Sequence, residues 1–183
     1  MSTEYLRTGS LLLSEPFLQD PLFGRAVILV CHYDEDGAFG LILNKPASNP
    51  FQEEGVHPLC EFPFFAGGPV DANSMFFVHR IEGLPEAVPL RDGICWQGRY
   101  EDLLEAVKAK EFQPENCRLL IGYTGWEKGQ LENEIDREDW MLYNGSIAEI
   151  LTTNPDSMWK DTLAKMGPYY KMVSNFPIDP SLN

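Results

Sequence analysis

The segment Gly122-Tyr-Thr-Gly-Trp-Glu-Lys-Gly-Gln-Leu-Glu-Asn-Glu134 carries the spacing most suggestive of a site. It follows a strand-like run, Cys117-Arg-Leu-Leu-Ile-Gly-Tyr123, and leads into a short acidic helical stretch. A strand that breaks at glycines and feeds a helix can present free backbone N–H groups to an anion. The phosphate-loop pattern G-x-x-x-x-G-K-[ST] fails, because Lys128 precedes Gly129 and Gln130 follows it. The dinucleotide pattern G-x-G-x-x-G is missing as well. Glu127, Glu132, Glu134 and Asp136 crowd the helix start and oppose an anion. The favoured role of Gly122, Gly125 and Gly129 is tight turning and the packing of Trp126.

Other polar residues sit at turns and strand ends. Asp20 and Arg25 flank the turn before a strongly apolar run. They could present a carboxylate and a guanidinium to a ligand; a capped turn or local ion pair is the favoured reading. Asn44 closes a hairpin ahead of Lys45-Pro46, and bonding to loop backbone is favoured over ligand binding. Gly67-Gly68-Pro69-Val70 is a rigid turn after a run of aromatics. His79 ends an apolar strand and could act as a general base, although a lone histidine there is more often structural. The binding candidates are thus Asp20, Arg25, Asn44, Gly67, Gly68, His79, Gly122, Gly125, Trp126 and Gln130. No catalytic set is assigned.

Metal and nucleophile chemistry find little support. His57-Pro-Leu-Cys60 is a half-site without a second half, and Cys31 and His32 point to opposite faces of any strand. No G-x-S-x-G elbow exists for a serine nucleophile. The four cysteines are dispersed, so no disulfide framework is expected, and Cys31 and Cys117 read as small hydrophobes. No metal and no cofactor are expected.

The elements that must position these groups follow from hydrophobic periodicity. Ser10–Leu13 is a short strand candidate. Ala26–Tyr33 is nearly continuously apolar, as in a strand covered on both faces, and Asp34-Glu-Asp-Gly37 turns it into a partner strand, Phe39–Asn44. Lys45–Pro63 reads as a mobile connection. Met75–His79, Gly93–Gly98 and Trp140–Tyr143 are further strand candidates, and Glu101–Lys110 is an amphipathic helix. Ser146-Ile-Ala-Glu149 has the form of a capping box. Asn154-Pro155 opens a helix that Gly167-Pro168 stops, leaving an irregular tail. The strands and helices do not alternate regularly, which favours α+β over a doubly wound parallel sheet.

The length of 183 residues suits one domain spanning 1–183. The net charge of −14 and the scatter of Lys and Arg oppose a nucleic-acid surface, so direct nucleic-acid binding is disfavoured. No apolar run approaches the ~18 residues that span a bilayer, and no secretory signal is seen at the N-terminus. Membrane association is not expected, and the cytoplasm is the expected compartment.

Three segments read in order give a resemblance. They are Leu18–Arg25 with Gly40–Pro46, then Gly67–Val70 with Phe77-Val-His79, then Gly122–Glu134. Together they resemble the YqgE/AlgH family of bacterial proteins, over about residues 8 to 166. The resemblance implies α+β architecture: a partly open, mostly antiparallel β-structure flanked by helices, in a cytosolic protein. One branch of that family is named as a regulator of alginate synthesis, which describes a genetic effect and not a reaction. The resulting expectation is a non-enzymatic regulatory binding module for a small molecule or a protein partner. The alternative is an enzyme for a small polar substrate, which requires His79, Asp20 and a glycine-segment side chain to converge on one pocket.

Overall fold

The computed structural model describes residues 3–177. Ten strands form one open sheet: β1 Leu11–Ser14, β2 Val27–Asp34, β3 Gly37–Ile42, β4 Pro46–Ala47, β5 Phe64–Ala66, β6 Val70–His79, β7 Val88–Pro89, β8 Cys95–Trp96, β9 Cys117–Glu127 and β10 Trp140–Tyr143. Four helices accompany them: α1 Tyr100–Lys108, α2 Gln130–Asp136, α3 Pro155–Ala164 and α4 Pro168–Val173. The strand order is β10-β1-β2-β3-β9-β6-β8-β7, with β5 beside β9 and β4 beside β5. Every pairing is antiparallel except β5 with β9. The fold is α+β, as the irregular succession of elements implies.

The apolar runs of β1, β2 and β10 are continuous because both sheet faces are covered. Leu11, Leu13, Leu29, Leu41 and Leu120 point to one face, where Ile147, Leu151, Met158, Trp159 and Leu163 cover them. The intervening residues face the other way. Leu12, Ile28, Val30 and Ile42 join Trp126, Leu131 and Ile135, which brings in α2. Further along that face, Phe64, Phe77 and Leu119 pack with Leu103 and Ala106 of α1.

Strand β9 is the hub. One edge pairs with β3 through Thr124–Glu127 and with β5 through Leu119–Ile121; the other edge pairs with β6. The chain therefore passes from one side of β9 to the other within Gly67–Pro69. It does so at backbone contact. Gly67 N–H donates to the Ile121 carbonyl at 2.7 Å, and the Gly67 carbonyl accepts from Ile42 at 2.8 Å. A Cβ at Gly67 would overlap the Gly122 carbonyl, and one at Gly68 would overlap the Tyr123 peptide. A Cβ at Gly122 would stand 2.5 Å from the Gly68 oxygen, and its φ of +71° already favours glycine.

Several expectations are corrected here. The strand does not break at the glycines of the third segment. It runs on to Glu127, because Gly122 absorbs the irregularity while β6 pairs with the strand as far as Tyr123 and β3 takes it up from Thr124. Ser146–Glu149 forms turns and no helix. Ser146 Oγ does accept from Ala148 N–H at 3.1 Å, but Asp92 captures the Ile147 N–H at 2.7 Å. Asn154 must then be extended ahead of Pro155, leaving no length for a helix. Gly167-Pro168 ends one helix and starts another, since proline suits a first helical position. The tail is thus helical over α4, and the remainder after 177 lies outside the described residues. The connection from Lys45 is a built loop: Asn49 Nδ2 lies 2.9–3.0 Å from the carbonyls of Leu59, Cys60 and Phe62. The helix at Asn154-Pro155 forms as expected, with Asn154 Oδ1 accepting from Asp156 N–H at 3.0 Å.

A buried cation ties the layers together. Arg118 is 4% exposed and meets no carboxylate among the described residues. Its guanidinium donates to the carbonyls of Leu43 (2.7 Å), Leu151 (3.3 Å) and Thr153 (3.3 Å), and lies 4.8 Å from the Phe65 ring centroid. Burial pulls its pKa down to about 10, which leaves it protonated at neutral pH. Replacing it orphans three carbonyls, so Arg118→Met should cost about 3 kcal/mol in urea unfolding with an unchanged m-value. Gly122→Ala should cost at least about 2 kcal/mol in the same measurement, because it combines a left-handed backbone with a backbone overlap.

Candidate functional site

The three sequence segments meet at one concave surface. Leu18, Asp20 and Phe23 come from the first, Pro69 and Val70 from the second, and Thr124, Gly125, Trp126, Gln130 and Glu134 from the third. Glu15, Asp139 and Trp140 complete a cleft of about 410 Å³. That size suits a small ligand. Its position follows from the crossing at β9: the chain emerging from Gly68 lays Pro69-Val70 alongside Thr124.

Glu134 organises the cleft. Its Oε2 accepts from the indole N–H of Trp126 at 2.7 Å and of Trp140 at 2.8 Å, while its Oε1 accepts from Gln130 Nε2 at 2.8 Å. Buried indoles need an acceptor, and a carboxylate one helical turn beyond Gln130 supplies it. The two indoles pack edge to face at 6.3 Å, and Phe23 packs edge to face on Trp140 at 5.8 Å. Gly40 makes room for this stack, since a Cβ there would lie 3.1 Å from Trp126 Cζ3.

Each predicted residue has a definite place. Asp20, Gly125, Trp126 and Gln130 line the cleft. Asp20 also caps its turn, with Oδ1 accepting from Leu22 and Phe23 N–H at 2.9 and 2.7 Å. Gln130 Oε1 accepts from Glu127 N–H at 3.0 Å, so this side chain closes the turn into α2. Gly67, Gly68 and Gly122 lie outside the lining and form the strand crossing behind it. Arg25 turns away from the cleft: its Nη2 donates to the Phe176 carbonyl at 2.5 Å, and its guanidinium sits 5.1 Å from the Trp159 ring. Asn44 bonds to backbone on both sides, accepting from Val27 N–H at 2.8 Å and donating to the Arg25 carbonyl at 2.9 Å.

His79 is fully buried in another part of the sheet. Its Nδ1 accepts from Ile81 N–H at 3.1 Å, so Nε2 carries the proton and donates to the Gln97 carbonyl at 2.9 Å. The arrangement required by the enzymatic alternative, His79 with Asp20 in one pocket, is therefore not formed. Lys45 reaches the Asp20 turn: its Nζ donates to the Gly24 carbonyl at 2.5 Å, and burial lowers its pKa against an opposing pull from Asp20.

Glu15, Phe23, Thr124, Glu134, Asp139 and Trp140 were not among the candidates. The need of two tryptophans for buried acceptors is a signal that points to Glu134. Nothing in the sequence places Glu15 or Asp139 there.

The fold and cleft define a class: an open α+β sheet protein with one acidic, aromatic hollow beside its hub strand. A profile of the family described as AlgH-like matches residues 11–171. The chain belongs to the AlgH-like family. It is 38% identical to a UPF0301 protein of Cytophaga hutchinsonii, covering 97% of this chain and all of that one. It is 32% identical to a UPF0301 protein of Bacteroides thetaiotaomicron, covering 96% of this chain and 90% of that one. Two solved structures share the fold. A Corynebacterium diphtheriae protein superposes with a TM-score of 0.76 at 21% identity, covering 96% of this chain and 95% of that one. The AlgH protein of Pseudomonas aeruginosa superposes with a TM-score of 0.72 at 23% identity, covering 97% of each.

Burial lowers the pKa of His79, with a smaller opposing effect from its bond to the Gln97 carbonyl. The unfolded chain takes up this proton near pH 6.5 and the native state resists it. The corresponding stability is complete above pH 6.5 and lost as pH falls below it. Urea unfolding at pH 7 and pH 5 should show a smaller loss in His79→Gln than in the parent protein.

Proposed function

We propose that this chain is a cytoplasmic, non-enzymatic regulatory module whose ligand, a small molecule or a segment of a partner protein, binds in the cleft beside β9. The carrying observation is the convergence of the three family segments on that one hollow. The cleft's polar residues are spent on holding its shape: Asp20 caps a turn, Gln130 closes another, and Glu134 anchors two indoles. Such a wall favours a preformed binding site over a reacting centre. Among the described residues no helix is long and apolar enough to cross a membrane, in keeping with action in solution. The charge of −14 argues against a phosphate-backbone partner.

The test uses the indole N–H signals of Trp126 and Trp140 in isotope-edited NMR spectra of the full chain. Screening pooled metabolites should give a compound that shifts both signals saturably and raises the melting temperature. Ligands that bind while leaving both signals unmoved, or a screen in which neither signal responds to any compound, would overturn the assignment of the cleft.

A further inference from the structure

The cleft has a definite chemical polarity that goes beyond its being a binding site. Its lining includes four carboxylate residues, Glu15, Asp20, Glu134 and Asp139, and among the described residues no lysine, arginine or histidine. Of these, Asp139 pairs with Arg137 at 3.1 Å, and Asp20 feels the buried Lys45. Among the described residues Glu15 and Glu134 make no ion pair: Glu15 accepts from Phe17 N–H at 2.9 Å, and Glu134 accepts from neutral indole and amide donors. A carboxylate held by neutral donors keeps its full charge while its position is fixed. Apart from Thr124, Gly125 and Gln130, the remaining wall is apolar, built from Leu18, Phe23, Pro69, Val70, Trp126 and Trp140.

We infer that the cleft selects a small organic cation, an ammonium or guanidinium group on a short apolar body. This rests on the binding reading above and names the ligand class for the same site. Three features agree. The concave, low-dielectric wall focuses the field of its acids and concentrates cations. Aromatic rings beside acids attract a cation while covering its apolar body. The volume of about 410 Å³ admits such a molecule and not a folded domain. Anionic metabolites meet the opposite conditions. The start of α2 offers them no compensation, because the helix is only seven residues long and carries Glu132 in its first turn.

The experiment titrates the full chain with agmatine and putrescine as probes. Succinate and cyclohexanol serve as anionic and neutral controls, and a short arginine-containing peptide stands for a protein source of the same group. The two indole signals and calorimetry supply the readouts. The diamines or guanidines should shift both indole signals saturably, with affinity falling as salt rises. Glu15→Gln keeps an acceptor for the Phe17 N–H and removes a charge, and Glu134→Gln keeps one for the two indoles while giving up the one that Gln130 uses; each should weaken binding about tenfold. An unchanged melting temperature in Glu15→Gln separates lost charge from lost structure. Equal affinity in the parent and the glutamine variants would overturn the inference. So would binding of the peptide alone, since the ligand would then not be a small molecule. If succinate or cyclohexanol shifts the indoles while the cations do not, the cleft remains a binding site and the cation assignment falls. If no compound moves them, the cation assignment falls, and the binding reading is decided separately by the metabolite screen.

Discussion

The passage of one backbone across another at Gly67, Gly68 and Gly122 is the constraint on which the rest of the structure depends. Strand β9 is paired on both edges, and the chain needs to leave β5 on one edge and begin β6 on the other. The step takes only Gly67–Pro69, so the two main chains approach more closely than any side chain permits. Main-chain hydrogen bonds to Ile121 and Ile42 hold the crossing in register. The site inherits this geometry. Pro69 and Val70 form one wall because the crossing releases them beside Thr124. The glycines therefore shape the hollow from behind and do not line it.

A second theme is the fate of polar side chains in the interior. Arg118, Asn44 and His79 all look capable of chemistry, and all are occupied by backbone groups that the ladders leave unpaired. Burying a carbonyl or N–H without a partner costs more than fixing one side chain to satisfy it. An open sheet with short edge strands and many crossings creates such positions repeatedly. The cleft shows the complementary arrangement. There the indole donors are satisfied by a carboxylate, and a net negative charge is left facing the hollow.

Much of the architecture was legible along the chain. The β2–β3 hairpin, the helix of α1 and the Asn154-Pro155 helix start each carry a local signal strong enough to stand alone. The local signals that misled were those competing with a distant partner. Ser146–Glu149 has the residues of a capping box, but the Glu149 carboxylate pairs with Lys165 at 3.1 Å and the Ser146 hydroxyl donates to Asp92 from another loop. The glycine segment has the composition of a strand break, but β6 pairs with it as far as Tyr123 and β3 holds it extended from Thr124 to Glu127. Of the candidates, Asp20, Gly125, Trp126 and Gln130 line the cleft, and all sit in recognisable segments. Arg25 sits in the same first segment and points elsewhere, because its side chain follows Trp159 and the Phe176 carbonyl.

The sequence by itself determined the alternation that buries two sheet faces, the positions where only glycine fits, the acidic balance and the family. Those properties reside in residue types and short spacings, which no folding event alters. Only the tertiary structure decided that three segments far apart along the chain share one hollow. It also decided that Glu15, Asp139 and Trp140 join them and that His79 lies elsewhere. Convergence depends on which strand edges pair and where the backbone crosses β9, and those are contacts between residues with no local signature of their meeting.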